Sequence, residues 1–204
     1  MSKIYIYVVN HDFGFAPNPF HGYCTLATCK PKIRNKAEVK DWVIGMGGRR
    51  LKATRQCIYA MRVAEKITFN EYWENSAYFD KKSVKNGSSK MMAGDNIYYL
   101  DTAQNIWHQA DSYHSNADGS ADPRHLSRDT KSNKVLVSRY FFYFGREAPF
   151  VPDDLLNSIG YKKNQRGHRV FEDRIAGELI EWLHKNFKES LNQVMGDPFD
   201  FPSK

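Results

Sequence analysis

Two hydrophobic periodicities divide this sequence, and they constrain its fold more than any single motif does. As far as about residue 150 the apolar residues come in short runs dense in β-branched and aromatic side chains. Among them are KIYIYVVN at 3–10, GDNIYYLD at 94–101 and KVLVSRYFFYFGREAP at 134–149. Such runs predict strands, because these side chains suit a pleated, half-buried surface. Further on, Phe171, Ile175, Leu179, Leu183, Phe187 and Leu191 recur close to every fourth position within 170–194. That spacing predicts a long amphipathic helix. A shorter helix is predicted in VPDDLLNSIG at 151–160, with Pro152 in its first turn and Gly160 past its end. The expected fold class is α+β, a mixed, mostly antiparallel, β-barrel-like sheet with the long C-terminal amphipathic helix packed on it. A chain of 204 residues is expected to be a single domain, 1–204, with a β-rich part over 1–150 and a helical part over 151–195.

Finer features fill in the β-rich part. Pro17 and Pro19 exclude a helix from the loop at 11–22, and YCTLATCK at 23–30 reads as a second strand ended by Pro31. EVKDWVIGMGG at 38–48 reads as a turn and a buried strand, closed by a Gly pair that permits a tight turn or a close approach. QCIYAMRVAEKIT at 56–68 reads as one long strand. Thr68 then caps a short helix, with Glu71 three residues on completing a capping box. The segment at 79–93 and the polar stretch at 116–133 read as loops, the latter of a length that is usually functional or disordered.

Charge and cysteine usage narrow the partners. A formal net charge of +7 and the basic clusters KPKIRNK, GRRLKATR, KKSVKNGSSK and YKKNQRGHR favour a polyanion, since cations that neutralise phosphates release counterions. The same clusters also suit solvated loops. No apolar run approaches the ~18 residues of a spanning helix, and the start of the chain enters a strand rather than a leader pattern, so a cytoplasmic protein without membrane attachment is expected. Three cysteines, Cys24, Cys29 and Cys57, argue for reduced thiols.

The Pro-pinned loop and the strand after it hold the first candidate site. His11, Asp12, Asn18 and His21 gather polar groups in one place, while Phe13, Phe15 or Phe20 can stack on a base. The same residues also suit a plugged barrel end and local turn bonds. His21, Cys24 and Cys29 lack a CxxC pair and share no strand face, so no metal is expected. A nucleophilic cysteine paired with His21 has no base evidently within reach. A second cluster, His108, Asp111, His114, Asp118, Asp122, His125 and Asp129, matches no metal or acid–base spacing, although Trp107 beside it can line a base pocket. No phosphate-binding or hydrolase glycine motif is present.

The blocks GFAPNPF at 14–20, CTLATCKPKIR at 24–34 and KDWVIG at 40–45 resemble the second of the nucleotide modification associated domain families, found in bacteria and their phages. Lys40 stands where the family usually has glycine. AGDNIYYLD and KVLVSRYFFYFG are similar to the family as well, extending the resemblance over most of the chain. It implies a link to modified nucleotides in DNA without implying a reaction. The order of elements also resembles PUA-like barrels, including the ASCH and EVE groups that bind modified bases.

The function expected on these grounds is recognition of a modified nucleotide or base, most naturally in DNA, without a cofactor. The nucleotide-binding candidates are His11, Asp12, Asn18, His21, Thr25, Lys30, Arg34, Trp107 and His114, with Lys30 and Arg34 on phosphate. The alternative is an enzyme of nucleotide or base modification in which His11, Asp12 or His21 performs acid–base chemistry; beyond these no catalytic residue is assigned. A third possibility is a protein that docks on partners of a modification or defence operon through its last helix.

Overall fold

Strand-forming segments are frequent in the first two-thirds of the chain, and helices are interleaved with them. The structure, a computed structural model, describes residues 2–162 and 166–202, so part of the fourth basic cluster lies outside the described residues. In chain order the elements begin with β1 (Lys3–Val9), β2 (Cys24–Leu26), α1 (Pro31–Lys36), β3 (Trp42–Gly47), β4 (Cys57–Arg62) and β5 (Glu65–Ile67). Then come α2 (Phe69–Glu74), α3 (Ser89–Met92), β6 (Tyr98–Asp101), β7 (Ile106–Gln109), α4 (Pro123–Asp129), β8 (Val135–Ser138) and β9 (Phe141–Tyr143). The last are α5 (Asp153–Ser158), β10 (His168–Glu172) and α6 (Asp173–Phe187). These pack as two compact units: Met1–Asp12, Ala37–Ala64 and Ser138–Lys204 form the first, Phe13–Lys36 and Glu65–Val137 the second.

The first unit is built on a five-stranded sheet of order β10-β1-β3-β4-β9. Its only parallel pair, among those whose register is known, is β1 with β3, Ile4 opposite Trp42; β10, β4 and β9 join antiparallel. Ile4, Tyr5, Ile6 and Tyr7 are all buried, as expected of a strand covered on both faces. The Gly pair does what its missing side chains allow: a Cβ on Gly47 would lie 2.2 Å from the Ala53 carbonyl oxygen. α6 buries Ala176, Leu179, Ile180 and Leu183, an i, i+3, i+4, i+7 stripe. The expected stripe is shifted, because the helix starts only at Asp173. Phe171 belongs to β10 opposite Ile4, and Ile175 is exposed.

The second unit carries a three-stranded sheet of order β2-β8-β5 and the antiparallel β6–β7 hairpin. Its core joins Phe15, Ala27, Phe69, Tyr72, Tyr78, Ile97, Tyr98, Val135 and Val137. Beneath them lies a buried polar network. Lys81 Nζ donates to Asn18 Oδ1 at 2.7 Å and to the Tyr23 carbonyl at 2.7 Å, and Asp95 accepts from Thr25 Oγ1 and Tyr72 Oη, each at 2.8 Å. Burial pulls the Lys81 amine down to about 8 and pushes the Asp95 carboxyl up.

The α+β class is as expected, but the described residues do not close a barrel. The two long runs expected as single strands each break in the middle. QCIYAMRVAEKIT divides at 63–64 into β4 and β5, and KVLVSRYFFYFG divides at 139–140 into β8 and β9, so each contributes to two different sheets. At the second break the Ser138 hydroxyl bonds both the backbone N–H and the carbonyl of Tyr140, a local turn that removes the backbone from the ladder. The expected loop at 116–133 contains α4, whose start is marked by Asp122 as N-cap and Pro123 in the first turn. The Thr68–Glu71 capping box is formed as its spacing predicts. Thr68→Ala should therefore lower stability by about 1 kcal/mol in urea denaturation, while Thr68→Ser should retain most of it.

Candidate active site

Residues 27–31 must turn the chain from β2 into α1 within a few positions. Cys29 does so at φ +55° and Lys30 at φ +41°, left-handed conformations that cost non-glycine residues on the order of 1–2 kcal/mol each. Pro31, with its fixed φ, then opens α1. The strained pair is held from both sides. The Cys29 N–H donates to Asp129 Oδ1 at 3.0 Å, and the Cys29 carbonyl accepts from Arg34 Nε at 2.8 Å.

Asp129, at the end of α4, is fully buried, and its carboxylate is saturated with donors. Besides the Cys29 amide it accepts from Tyr98 Oη at 3.0 Å and Arg128 Nε at 2.9 Å, and it pairs with His114 Nδ1 at 3.0 Å. Burial alone would raise its pKa; the His114 and Arg128 partners outweigh that and hold it well below the usual carboxylate range. The same burial and the neighbouring Asp129 push the Tyr98 phenol up, so it stays a donor.

The other ring nitrogen of His114, Nε2, lies 3.8 Å from Cys29 Sγ. The residues thus form a line from carboxylate to imidazole to thiol, with the carboxylate fixing the ring so that Nε2 faces the sulfur. Burial by itself would lower the His114 pKa, but the bonds to Asp129 and Cys29 win and raise it. Phe15 fixes the ring from the side, edge-on at 4.6 Å between centroids. Arg128 Nη2 stands 3.6 Å from the sulfur, a positive charge where a thiolate would form. His125 packs 4.1 Å from the His114 ring and has a lowered pKa, through burial and then the positive charges of His114 and Arg128. The order carboxylate, imidazole, thiol is the one in which a cysteine nucleophile is paired with a base and the base with an orienting group.

Arg34 ties this arrangement together from below. Wholly buried, it donates to the carbonyls of Cys29, Ser132, Lys134 and Asp129, and its guanidinium lies 5.2 Å from the Phe69 ring centroid. Desolvation lowers its pKa to about 10. The segment carrying the thiol and the segment carrying the carboxylate thus share one cation.

Of the nine sequence-derived candidates, the structure brings His114, Lys30 and Arg34 to this thiol, with Arg34 turned inward onto carbonyls rather than outward to phosphate. Lys30 is half-buried. Asn18 and Thr25 belong to the Lys81–Asp95 network, wholly buried. His21 sits on an exposed turn at φ +57°, and Trp107 packs edge-on against Phe69. His11 and Asp12 are in the first unit: the exposed His11 lies 4.0 Å from Asp200, and the buried Asp12 accepts from Tyr143 Oη at 2.7 Å. Cys29 and Arg128 lie outside the nucleotide-binding candidates, and Asp129 is named only in the second His/Asp cluster, whose spacing matches no metal or acid–base pattern. Cys29 drew the eye only as a metal ligand or a partner of His21, and its base is 85 positions away in sequence. No group of three or more His, Cys, Asp or Glu among the described residues is arranged to hold a metal ion. A cavity of about 950 Å³ in the first unit, lined by Trp42, Tyr140 and His184 among others, holds none of the thiol cluster.

In comparisons with known proteins, the family model for nucleotide modification associated domain 2 matches residues 1–204. No curated protein and no solved structure matches.

The three thiols should separate cleanly. Burial raises the pKa of Cys57 to about 12 and that of Cys24 further still. Brief treatment of the native protein with iodoacetamide should therefore label Cys29 alone by mass spectrometry, with the other two labelled only after denaturation. The His114–Asp129 pair has a pH signature of defined sign. A raised histidine pKa stabilises the fold fully below about 6.5, its unfolded value, and this contribution is lost as pH rises through the folded pKa. The depressed Asp129 stabilises above about 3.9 and loses its contribution as pH falls through its own folded pKa. Asp129→Asn should lower the His114 pKa in an NMR titration; an unchanged value would mean that the carboxylate does not hold the imidazolium.

Proposed function

Because the chain belongs to the nucleotide modification associated domain 2 family, we propose that it is a cysteine-dependent enzyme acting on an acyl group carried by a modified nucleotide. The observation that carries this reading is the line from Asp129 through His114 to Cys29, with a sulfur–nitrogen distance of 3.8 Å. It favours the enzymatic alternative over recognition alone, with His114 as the acid–base group in place of His11, Asp12 or His21.

The reaction divides into two exchanges. In the first, Cys29 Sγ attacks the substrate carbonyl carbon and its proton passes to His114 Nε2; the carbonyl oxygen takes up the negative charge. The tetrahedral adduct collapses by breaking the bond to the leaving amine or alcohol, which takes the proton from His114, and a thioester remains. In the second, His114 removes a proton from water as the water attacks the thioester. The released acid leaves, and His114 returns the proton to the thiol. Asp129 keeps the imidazole oriented and stabilises its charged form throughout, and Arg128 offers a positive charge next to the sulfur.

Recognition of a modified base in nucleic acid is the second reading. The formal net charge of +7 supports it, as does the exposure of Arg49, Arg50 and Lys52 in the second of the basic clusters. Turnover separates the two. Incubated with nucleotides bearing amide- or ester-linked substituents, the wild-type protein should remove the substituent and carry a transient acyl mass on Cys29. Cys29→Ala should lower turnover by about 10³-fold or more. Turnover that survives Cys29→Ala would overturn the proposal.

A further inference from the structure

The cavity of about 950 Å³ in the first unit is lined by three rings that hold one another. Trp42 meets Tyr140 at 6.0 Å and His184 at 6.1 Å, both edge-on, and Tyr140 Oη lies 2.8 Å from His184 Nε2. The charged groups around these rings divide by what they already do. Asp41 accepts from the backbone N–H groups of Lys3 at 2.8 Å and Glu38 at 2.9 Å, and Arg174 donates to Glu172 at 2.6 Å. Among the described residues, the side chains of Lys3, Lys40 and Arg62 have no carboxylate partner, and those of Asp173 and Glu181 have no cation. Lys40 stands at φ +80°, a region that suits glycine, so the backbone bears strain where it places this amine on the cavity. Gly177 is the most telling of the lining residues. It lies inside α6, where glycine destabilises a helix relative to alanine. Packing does not require it: a Cβ there would meet only the Asp173 carboxylate, at 3.4 Å, and no atom of another element within 4 Å. A side chain that would stabilise the helix is thus missing where it would fill the cavity.

We propose that this cavity is a ligand site of its own, apart from the thiol chemistry, and that its occupant is a nucleoside monophosphate. A heterocyclic base brings the flat apolar face that suits Trp42, Tyr140 and His184. One phosphate answers the cations that lack partners, while the N–H groups of the base and the hydroxyls of the sugar answer Asp173 and Glu181. An apolar ligand would bury these charges without compensation. The two carboxylates also limit the charge of the ligand, because further phosphates would set like charges side by side, so a triphosphate fits worse than a monophosphate. The volume is at the upper end of the range for small-molecule pockets, roughly 300–1,000 Å³, which suits one nucleotide and not a length of strand.

Calorimetric titration of the full chain tests this with each of the four deoxynucleoside 5′-monophosphates, the matching triphosphates, and 2-deoxyribose 5-phosphate as the probe that lacks a base. At least one monophosphate should bind more tightly than its triphosphate and about tenfold more tightly than deoxyribose phosphate. On its addition the indole N–H signal of Trp42 and the imidazole signals of His184 should shift in NMR spectra. Gly177→Leu, which fills the cavity, should abolish this binding. Arg62→Ala, at an exposed position, should weaken it about tenfold and decides the matter if Gly177→Leu does not fold. Gly177→Ala should raise the melting temperature by about 2–4 °C, and a lowered value would mean that packing demands the glycine and would overturn the argument from it. No binding by any monophosphate, equal binding of deoxyribose phosphate, tighter binding of the triphosphates, or binding unchanged in both Gly177→Leu and Arg62→Ala would each overturn the site. None of these readouts involves Cys29, so a failure here is distinct from turnover that survives Cys29→Ala.

Discussion

A carboxylate with no exposed surface is costly unless every oxygen lone pair is answered, and Asp129 answers them with donors from four residues. Those donors come from widely separated parts of the second unit: the turn after β2, the strand β6, the loop before α4 and α4 itself. Satisfying one ion therefore fixes the relative positions of Cys29, Tyr98, His114 and Arg128. The geometry of the candidate site and local stability are here the same set of bonds. Removing any one donor would leave charge uncompensated in a dry place, and the strained backbone at 29–30 would lose a restraint that keeps it in the left-handed region.

Two buried cations do comparable structural work. Arg34 bonds four carbonyls of segments that no regular ladder satisfies, and Lys81 does the same for the Pro-pinned loop through Asn18 and Tyr23. An irregular backbone can be buried only if its polar groups find partners, and long cationic side chains supply several donors each. This revises the meaning of the charge. Part of the +7 is spent inside the second unit on carbonyls, so the clusters that contain Arg34 and Lys81 are less basic at the surface than in the sequence.

The chemistry and the fold were legible to different depths. The Thr68–Glu71 cap, the buried strand at 42–47 and the close approach at the Gly pair follow from local rules, because the groups involved are within a few residues of one another. The division of two long apolar runs between sheets was not legible, since β-branched and aromatic residues look the same whether a strand continues or breaks. α4 was hidden by its polar composition, although Asp122-Pro123 marked its start. Among the candidate residues, His114 stood in a cluster without recognisable spacing and could not be told from its neighbours His108 and His125.

By itself the sequence determined the α+β class and the family, and with the family an association with nucleotide modification, because composition, periodicity and contiguous blocks carry that information. Only the tertiary structure decided which cysteine, which histidine and which aspartate are brought together. Cys29, His114 and Asp129 are separated by 85 and 15 positions, and nothing in local spacing encodes a distance that depends on how the turn after β2, a loop and the end of α4 are brought around one buried carboxylate.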